Sequence, residues 1–183
     1  MQDELIAKIM GCLETYALPP LVILDITNVC NLMCIHCPHA QIQSRSDFKP
    51  GHMSWDHFER IVDELAPHRQ PCLLRFVGDG EPLLHPRILD MIERAKKRTQ
   101  CIVNLTTNGT LLADLTIDRL IDCGIDLVDI SIDALTKPVY EMVRRGGSFE
   151  KLMKGIFTLL DAVAKKRAST KIMVSFIEQD ENA

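Results

Sequence analysis

Short runs rich in Val, Ile and Leu recur along the chain as LVILDIT (21–27), CLLRFVG (72–78), CIVNLTT (101–107), LVDISID (127–133) and KIMVSFI (171–177). Each reads as a strand buried on both faces. Between them the apolar residues fall at helical spacing. Phe58, Ile61, Val62 and Leu65 follow Ser54 as N-cap, and Ile88, Leu89 and Ile92 follow Pro86 at a first-turn position. Leu115, Leu120 and Ile121 precede Gly124, and Leu152, Ile156, Leu159, Leu160 and Val163 form the last stripe. Strand and helix alternating in this way predict an α/β fold of parallel strands joined by right-handed crossovers, either doubly wound or rolled toward a (β/α) barrel. A closed barrel needs more strands than five, so the expectation is an open sheet or a partial barrel truncated after the fifth strand. Leu5, Ile6, Ile9, Met10 and Leu13 make a further helical stripe. The expected organisation is a helical extension over 1–19, a core over 20–178 and a polar tail over 179–183.

Composition narrows the class. Hydrophobic residues are 46% and charged residues 25% of the 183, an ordinary globular balance. A net charge of −4 gives no electrostatic reason to expect nucleic acid as a partner, whose phosphates are met by Lys and Arg. No segment is apolar for long enough to span a membrane, and the first residues lack the continuous apolar core of a signal peptide. The expected compartment is the cytoplasm, where the seven cysteines stay reduced unless they bind metal or do redox chemistry.

Both architectures carry function in the loops at the carboxyl ends of strands. The unusual residues collect there: VCNLMCIHCPH (29–39) after the first strand, GDGEP (78–82) after the second, TTNGT (106–110) after the third, and SID (131–133) closing the fourth. Cys30, Cys34 and Cys37 could pack as small hydrophobes, but they are interleaved with Asn31, His36 and Pro38, so a metal suits them better. Zinc would need four ligands, the three thiols with His36 or His39. A four-iron cluster on three thiolates keeps one iron open, and an open coordination position marks a reactive site rather than a structural one. Cys12, Cys72, Cys101 and Cys123 lack ligand spacing and read as core. Glycine in GDGEP would let backbone approach a ligand closely, and Glu81 is an anionic acceptor suited to an amine or a ribose hydroxyl. Asn108 is a ligand contact or a turn residue. His85, ahead of Pro86, is explained by turn geometry.

CNLMCIHC is the CxxxCxxC signature of radical S-adenosylmethionine enzymes, and the chain resembles that superfamily from the first strand to about Phe176. GDGEPLLHP, LTTNGT, SIDA and RRGGSFEKLMKGI are similar to the downstream motifs of its branch of peptide- and cofactor-maturing (SPASM-type) enzymes. The resemblance implies a 4Fe-4S cluster on Cys30, Cys34 and Cys37, its open iron chelated by S-adenosylmethionine. It places His36 beside the adenine, Gly80, Glu81 and Pro82 at the methionine amino group, Ser131 and Asp133 near the methionyl and ribose groups, and Arg144 or Arg145 at the carboxylate. It further implies reductive cleavage of S-adenosylmethionine to a 5′-deoxyadenosyl radical that takes hydrogen from a substrate. A low-potential electron donor of flavodoxin or ferredoxin type would supply the electron. The substrate, a peptide, a sugar or a cofactor precursor, is not specified, and no residue is assigned as acid, base or hydrogen donor. The competing expectations are a zinc-binding structural module closed by His39, a catalytically incomplete fragment, and a nucleotide-binding scaffold without catalysis.

Overall fold

In the computed structural model of the chain, residues 18–70 and 72–182 are described; the helical stripe expected near the amino terminus and Cys12 lie outside them. Five strands form one sheet: β1 (Leu21–Leu24), β2 (Leu73–Phe76), β3 (Ile102–Thr107), β4 (Leu127–Ser131) and β5 (Lys171–Ser175). All four pairings are parallel, and the spatial order is the chain order. An order that never reverses puts every right-handed crossover on the same side, which is barrel winding; doubly wound sheets reverse. The fold is therefore an open α/β sheet of partial-barrel type.

The connecting helices are α1 (Pro38–Ile42), α2 (Trp55–Leu65), α3 (Ile88–Arg98), α4 (Asp114–Asp122), α5 (Lys137–Val143) and α6 (Phe149–Lys166), with a single 3-10 turn at Pro82–Leu84. Ser54 caps α2 as expected, accepting from the His57 amide at 3.3 Å. Pro86 sits outside the expected first turn, just ahead of Arg87, the cap of α3. Lys96, Lys97 and Arg98 fill the last turn of α3, where positive charge complements the helix dipole.

Register explains where the core sits. Leu24, Phe76, Leu105, Val128 and Ile172 form one row across the sheet, on the face that packs against Phe58 and Val62 of α2, Met91 and Ile92 of α3, Leu120 of α4 and Leu152 of α6. Burying side chains of this size contributes roughly 1.5–3 kcal/mol each. The expectation of strands buried on both faces is corrected here. On the opposite face Ile23, Ile102 and Met173 are exposed, and its middle is polar. There Arg75 donates to Thr106 Oγ1 and to Asp129 Oδ2, both at 3.0 Å. Among the described residues the helices cover one side only, and β1 and β5 at the edges are the least buried strands.

Candidate functional site

The thiol loop is held from three sides. Thr27 bridges His52 just after β1. Further on, the Met33 and Ile35 amides donate to the carbonyls of Arg145 and Val143 at 2.8 and 2.9 Å. From α1, Gln43 reaches back, accepting from the Cys30 amide at 3.4 Å and donating to the Leu32 carbonyl at 3.1 Å. Cys37 stands at the N-cap of α1, and Pro38 opens the helix with the fixed φ that position favours. Cys34 is buried, and Cys30 and Cys37 are half-buried.

All three thiols line one cleft of about 150 Å³, and with them stand His36, Gly80, Glu81, Pro82, Asn108, Ser131 and Arg144. The cleft opens at the carboxyl ends of the strands. Burial pushes the Cys34 thiol up to about 11 against the pull of the Arg144 guanidinium, and burial likewise raises Cys30. Such thiols favour the protonated form until a cation arrives to bind the thiolate. Among the described residues no three His, Cys, Asp or Glu side chains are gathered closely enough to hold a single metal ion. His39, the ligand expected to close a zinc site, bonds through Nε2 to the Asn28 carbonyl at 2.7 Å and packs edge-on against Phe48. Three thiols around one cleft are a donor set that suits a multi-atom cluster.

Glu81 lies turned toward β3. One carboxylate oxygen accepts from Thr107 Oγ1 at 2.6 Å and the Leu83 amide at 3.1 Å, and the other accepts from the Asn108 amide at 2.7 Å. Both oxygens are thus committed to the chain's own donors. Burial pushes its carboxyl above the usual range, and those three hydrogen bonds and Arg144 pull against it. Pro82 opens the 3-10 turn that Glu81 caps. Glycine at 80 is required by the chain itself: a Cβ there would lie 2.3 Å from the Thr27 carbonyl oxygen and 2.5 Å from that of Val29. It is the chain's own backbone that approaches, since the Gly80 and Glu81 amides donate to those same two carbonyls.

Asn108 proves to be a strut between loops. Its Nδ2 donates to Asn31 Oδ1 at 2.9 Å, and its Oδ1 accepts from the Thr110 amide at 3.0 Å. No hairpin forms at Asn108–Gly109; the chain turns there, with Gly109 at φ 75°, and enters α4.

Between Arg144 and Arg145 the structure makes a distinction. Arg145 is exposed, whereas Arg144 is buried and lines the cleft. Asp133 does not line it. Fully buried, with a left-handed backbone (φ 51°) that Asp tolerates better than most residues, it brings Oδ2 within 2.6 Å of Arg144 Nη2. The contact is ionic rather than a well-aligned hydrogen bond, and Arg144 Nε has no partner among the described residues. Arg144 Nη1 stands 4.0 Å from Cys34 Sγ. Asp133 therefore positions a guanidinium that has one nitrogen toward the Cys34 thiol and its Nε without a partner. His36 completes this corner, its Nε2 3.6 Å from Asp133 Oδ2.

Several participants escape sequence reasoning. Asn31, Thr107 and Thr110 carry the hydrogen bonds that join three loops, and all three sit inside motifs already singled out, CNLMC and TTNGT. Residues 179–182, expected as a polar tail, form a turn: Asn182 Nδ2 donates to the Asp133 carbonyl at 2.7 Å, and Gln179 Nε2 meets His36 Nδ1 at 3.4 Å. His85 is structural, its Nε2 donating to the Met53 carbonyl at 3.0 Å while Nδ1 accepts from the Arg87 amide at 3.1 Å. Cys72 and Cys101 are core residues, as expected.

Comparison with known proteins bears on the whole chain. It is 38% identical over 112 residues to the tungsten-containing aldehyde ferredoxin oxidoreductase cofactor-modifying protein of Pyrococcus furiosus, covering 61% of this chain and 30% of that protein. It is 31% identical over 164 residues to the AdoMet-dependent heme synthase of Methanosarcina barkeri, covering 88% of this chain and 45% of that one. In fold it is similar to native anSMEcpe with bound AdoMet, at a TM-score of 0.66 and 22% identity, covering 84% of this chain and 42% of that one. The chain thus spans less than half the length of these relatives. No helix among the described residues is long and apolar enough to cross a membrane. Residues 24–182 match the Radical SAM superfamily, whose members use a 4Fe-4S cluster and S-adenosylmethionine, and the chain belongs to that superfamily.

Proposed function

We propose that this chain is the cluster-binding core of a radical S-adenosylmethionine enzyme. The observation that carries the reading is the convergence of Cys30, Cys34, Cys37 and Arg144 on one cleft, with the guanidinium held by Asp133 and its Nε left unpartnered. The three thiols would hold a 4Fe-4S cluster. Arg144 would pair with the carboxylate of S-adenosylmethionine, since guanidinium meets carboxylate in bidentate fashion. The Gly80–Pro82 backbone would face the methionine amino group, with Glu81 fixing that turn from behind. His36 would flank the adenine, with Ser131 near the methionyl group. Asp133, which the resemblance sets near the methionyl and ribose groups, and Asn108, expected as a ligand contact or a turn residue, act in this reading through Arg144 and through the thiol loop respectively. When bound, the cluster supplies one electron to S-adenosylmethionine, whose carbon–sulfur bond breaks to give methionine and a 5′-deoxyadenosyl radical.

The electron would come from a low-potential donor of flavodoxin or ferredoxin type, in the cytoplasm, where thiols stay reduced. Among peptide, sugar and cofactor precursor as substrate, the heme-synthesising and cofactor-modifying relatives support the last.

The test is anaerobic reconstitution with iron and sulfide, followed by iron and sulfide quantitation, electron paramagnetic resonance, and chromatographic assay of 5′-deoxyadenosine with dithionite as reductant. The expected result is about four irons per chain, a reduced-cluster signal that S-adenosylmethionine perturbs, and nucleoside release abolished by Cys34→Ala. Colourless protein with stoichiometric zinc, or full cleavage by Cys34→Ala, would refute the assignment.

A further inference from the structure

We propose that the surface outside the thiol loop, together with the groove between α4 and α6, is the docking site of an acidic one-electron donor protein. This rests on the functional reading above, which requires an electron to arrive close to Cys30, Cys34 and Cys37.

The chain between the first two thiols is itself at the surface: Asn31 is exposed, and Met33 is 38% exposed. Two contacts tie that segment to what lies beside it. The Met33 amide donates to the Arg145 carbonyl at 2.8 Å, and Asn31 Nδ2 donates to Thr110 Oγ1 at 2.8 Å. Thr110 is in turn the rim of a groove of about 460 Å³ whose lining includes Leu115, Lys151, Lys154 and Thr158. Leu115 is 83% exposed. One continuous surface therefore carries two exposed apolar side chains, Met33 and Leu115, and three exposed cations, Arg145, Lys151 and Lys154. Among the described residues none of these cations is within ion-pair distance of a carboxylate, unlike Lys137 and Lys166, which are paired. Asp114, also in the groove lining, offsets part of the charge.

The molecule as a whole has a net charge of −4, so an acidic protein is repelled from most of it. A local cationic face on an acidic molecule orients such a partner and suppresses other encounters. Apolar residues flanked by unpaired cations match the make-up of an interface with a charged partner, and this face lies within a few residues of the thiols. Surface charges of this kind set the association rate and its salt dependence more than the stability of the finished complex.

The experiment measures binding of an acidic flavodoxin to the full chain by biolayer interferometry at about 20 mM and about 300 mM salt, conditions that span weak and strong screening. The variants are Arg145→Glu/Lys151→Glu/Lys154→Glu and a control, Lys165→Glu/Lys171→Glu, at the opposite end of the sheet. The expected result is salt-sensitive binding that the triple reversal weakens about tenfold or more and the control leaves unchanged. Absence of binding to the unsubstituted chain at low salt, equal binding by the triple variant, or an equal loss in the control would each overturn the docking site. Dithionite-driven cleavage of S-adenosylmethionine reports on the functional reading separately. A chain that cleaves with dithionite and fails the binding test loses the docking site alone, whereas one that binds the flavodoxin and fails to cleave loses the functional reading.

Discussion

Replacing Glu81 by glutamine isolates what a buried carboxylate does when both its oxygens are held by the chain's own donors. The carboxylate takes three donors, and two of them are backbone amides fixed on opposite oxygens, Leu83 on one and Asn108 on the other. An amide side chain offers only one oxygen. The Thr107 hydroxyl can turn to accept, but one of the two backbone N–H groups must then face the glutamine NH₂. Leaving one buried donor unsatisfied costs about 1–3 kcal/mol. Against this, glutamine removes a charge whose burial is the largest influence on the Glu81 carboxyl and raises it above its ordinary value of 4.5. A carboxyl raised by folding contributes stability that is full below its unfolded value and is lost as pH climbs through the folded one. Glutamine does not titrate. The difference in unfolding free energy between the two proteins should therefore be about 1–2 kcal/mol near pH 7 and should widen as pH is lowered toward about 5. Urea unfolding across that range measures it, with the slope m checking that the unfolding surface is unchanged. A difference that instead grows as pH rises would mean that the hydrogen bonds outweigh burial, and the account of Glu81 would be wrong. No difference at any pH would mean that the three donors are not there.

Gly80→Ala should cost about 2–4 kcal/mol in urea unfolding, because the added methyl meets two backbone carbonyls that cannot move aside independently; a loss below about 0.5 kcal/mol would refute the close approach. His85 is buried as the neutral ring, its proton on Nε2, and burial lowers it from its ordinary value of 6.5. Stability should accordingly be full above that value and fall as pH drops through the folded one, and His85→Gln should flatten this slope in thermal melts between about pH 7 and about pH 5. Tyr140 is fully buried with its hydroxyl unpartnered among the described residues, and burial pushes it up to about 12. Tyr140→Phe should be neutral or stabilising by up to about 1 kcal/mol, and a loss of more than that would reveal a hidden partner.

The five strands were legible because apolar runs of strand length are separated by helical spacing, and their ends predicted where the unusual residues gather. What the runs could not reveal is that one face of the sheet stays uncovered among the described residues. LVIL and KIMV read the same whether a strand lies in the middle or at an edge, and only the pairing decides. The thiols were legible from spacing and Ser131 from the resemblance, which leaves Arg144 and Arg145 undivided until their burial is seen. Asn31 and Thr110 were not, because their work is done with partners 77 and 79 positions away, a separation no local pattern encodes. Gly80 has a structural cause that its motif does not carry. Its missing Cβ makes room for Thr27 and Val29, and nothing in GDGEP names them.

The strand order has a bearing on how the molecule is made. Every strand pairs with the one synthesised just before it, so the sheet can assemble in the order in which it leaves the ribosome, one unit at a time, with little need to wait for distant segments. The thiol loop emerges after the first strand. Arg144, whose guanidinium stands beside Cys34, follows 110 residues later, and the Asp133 that steadies it only shortly before. A nascent chain thus presents its three thiols long before their surroundings exist, and under the proposed function iron and sulfide would be taken up only once Asp133 and Arg144 have closed around them.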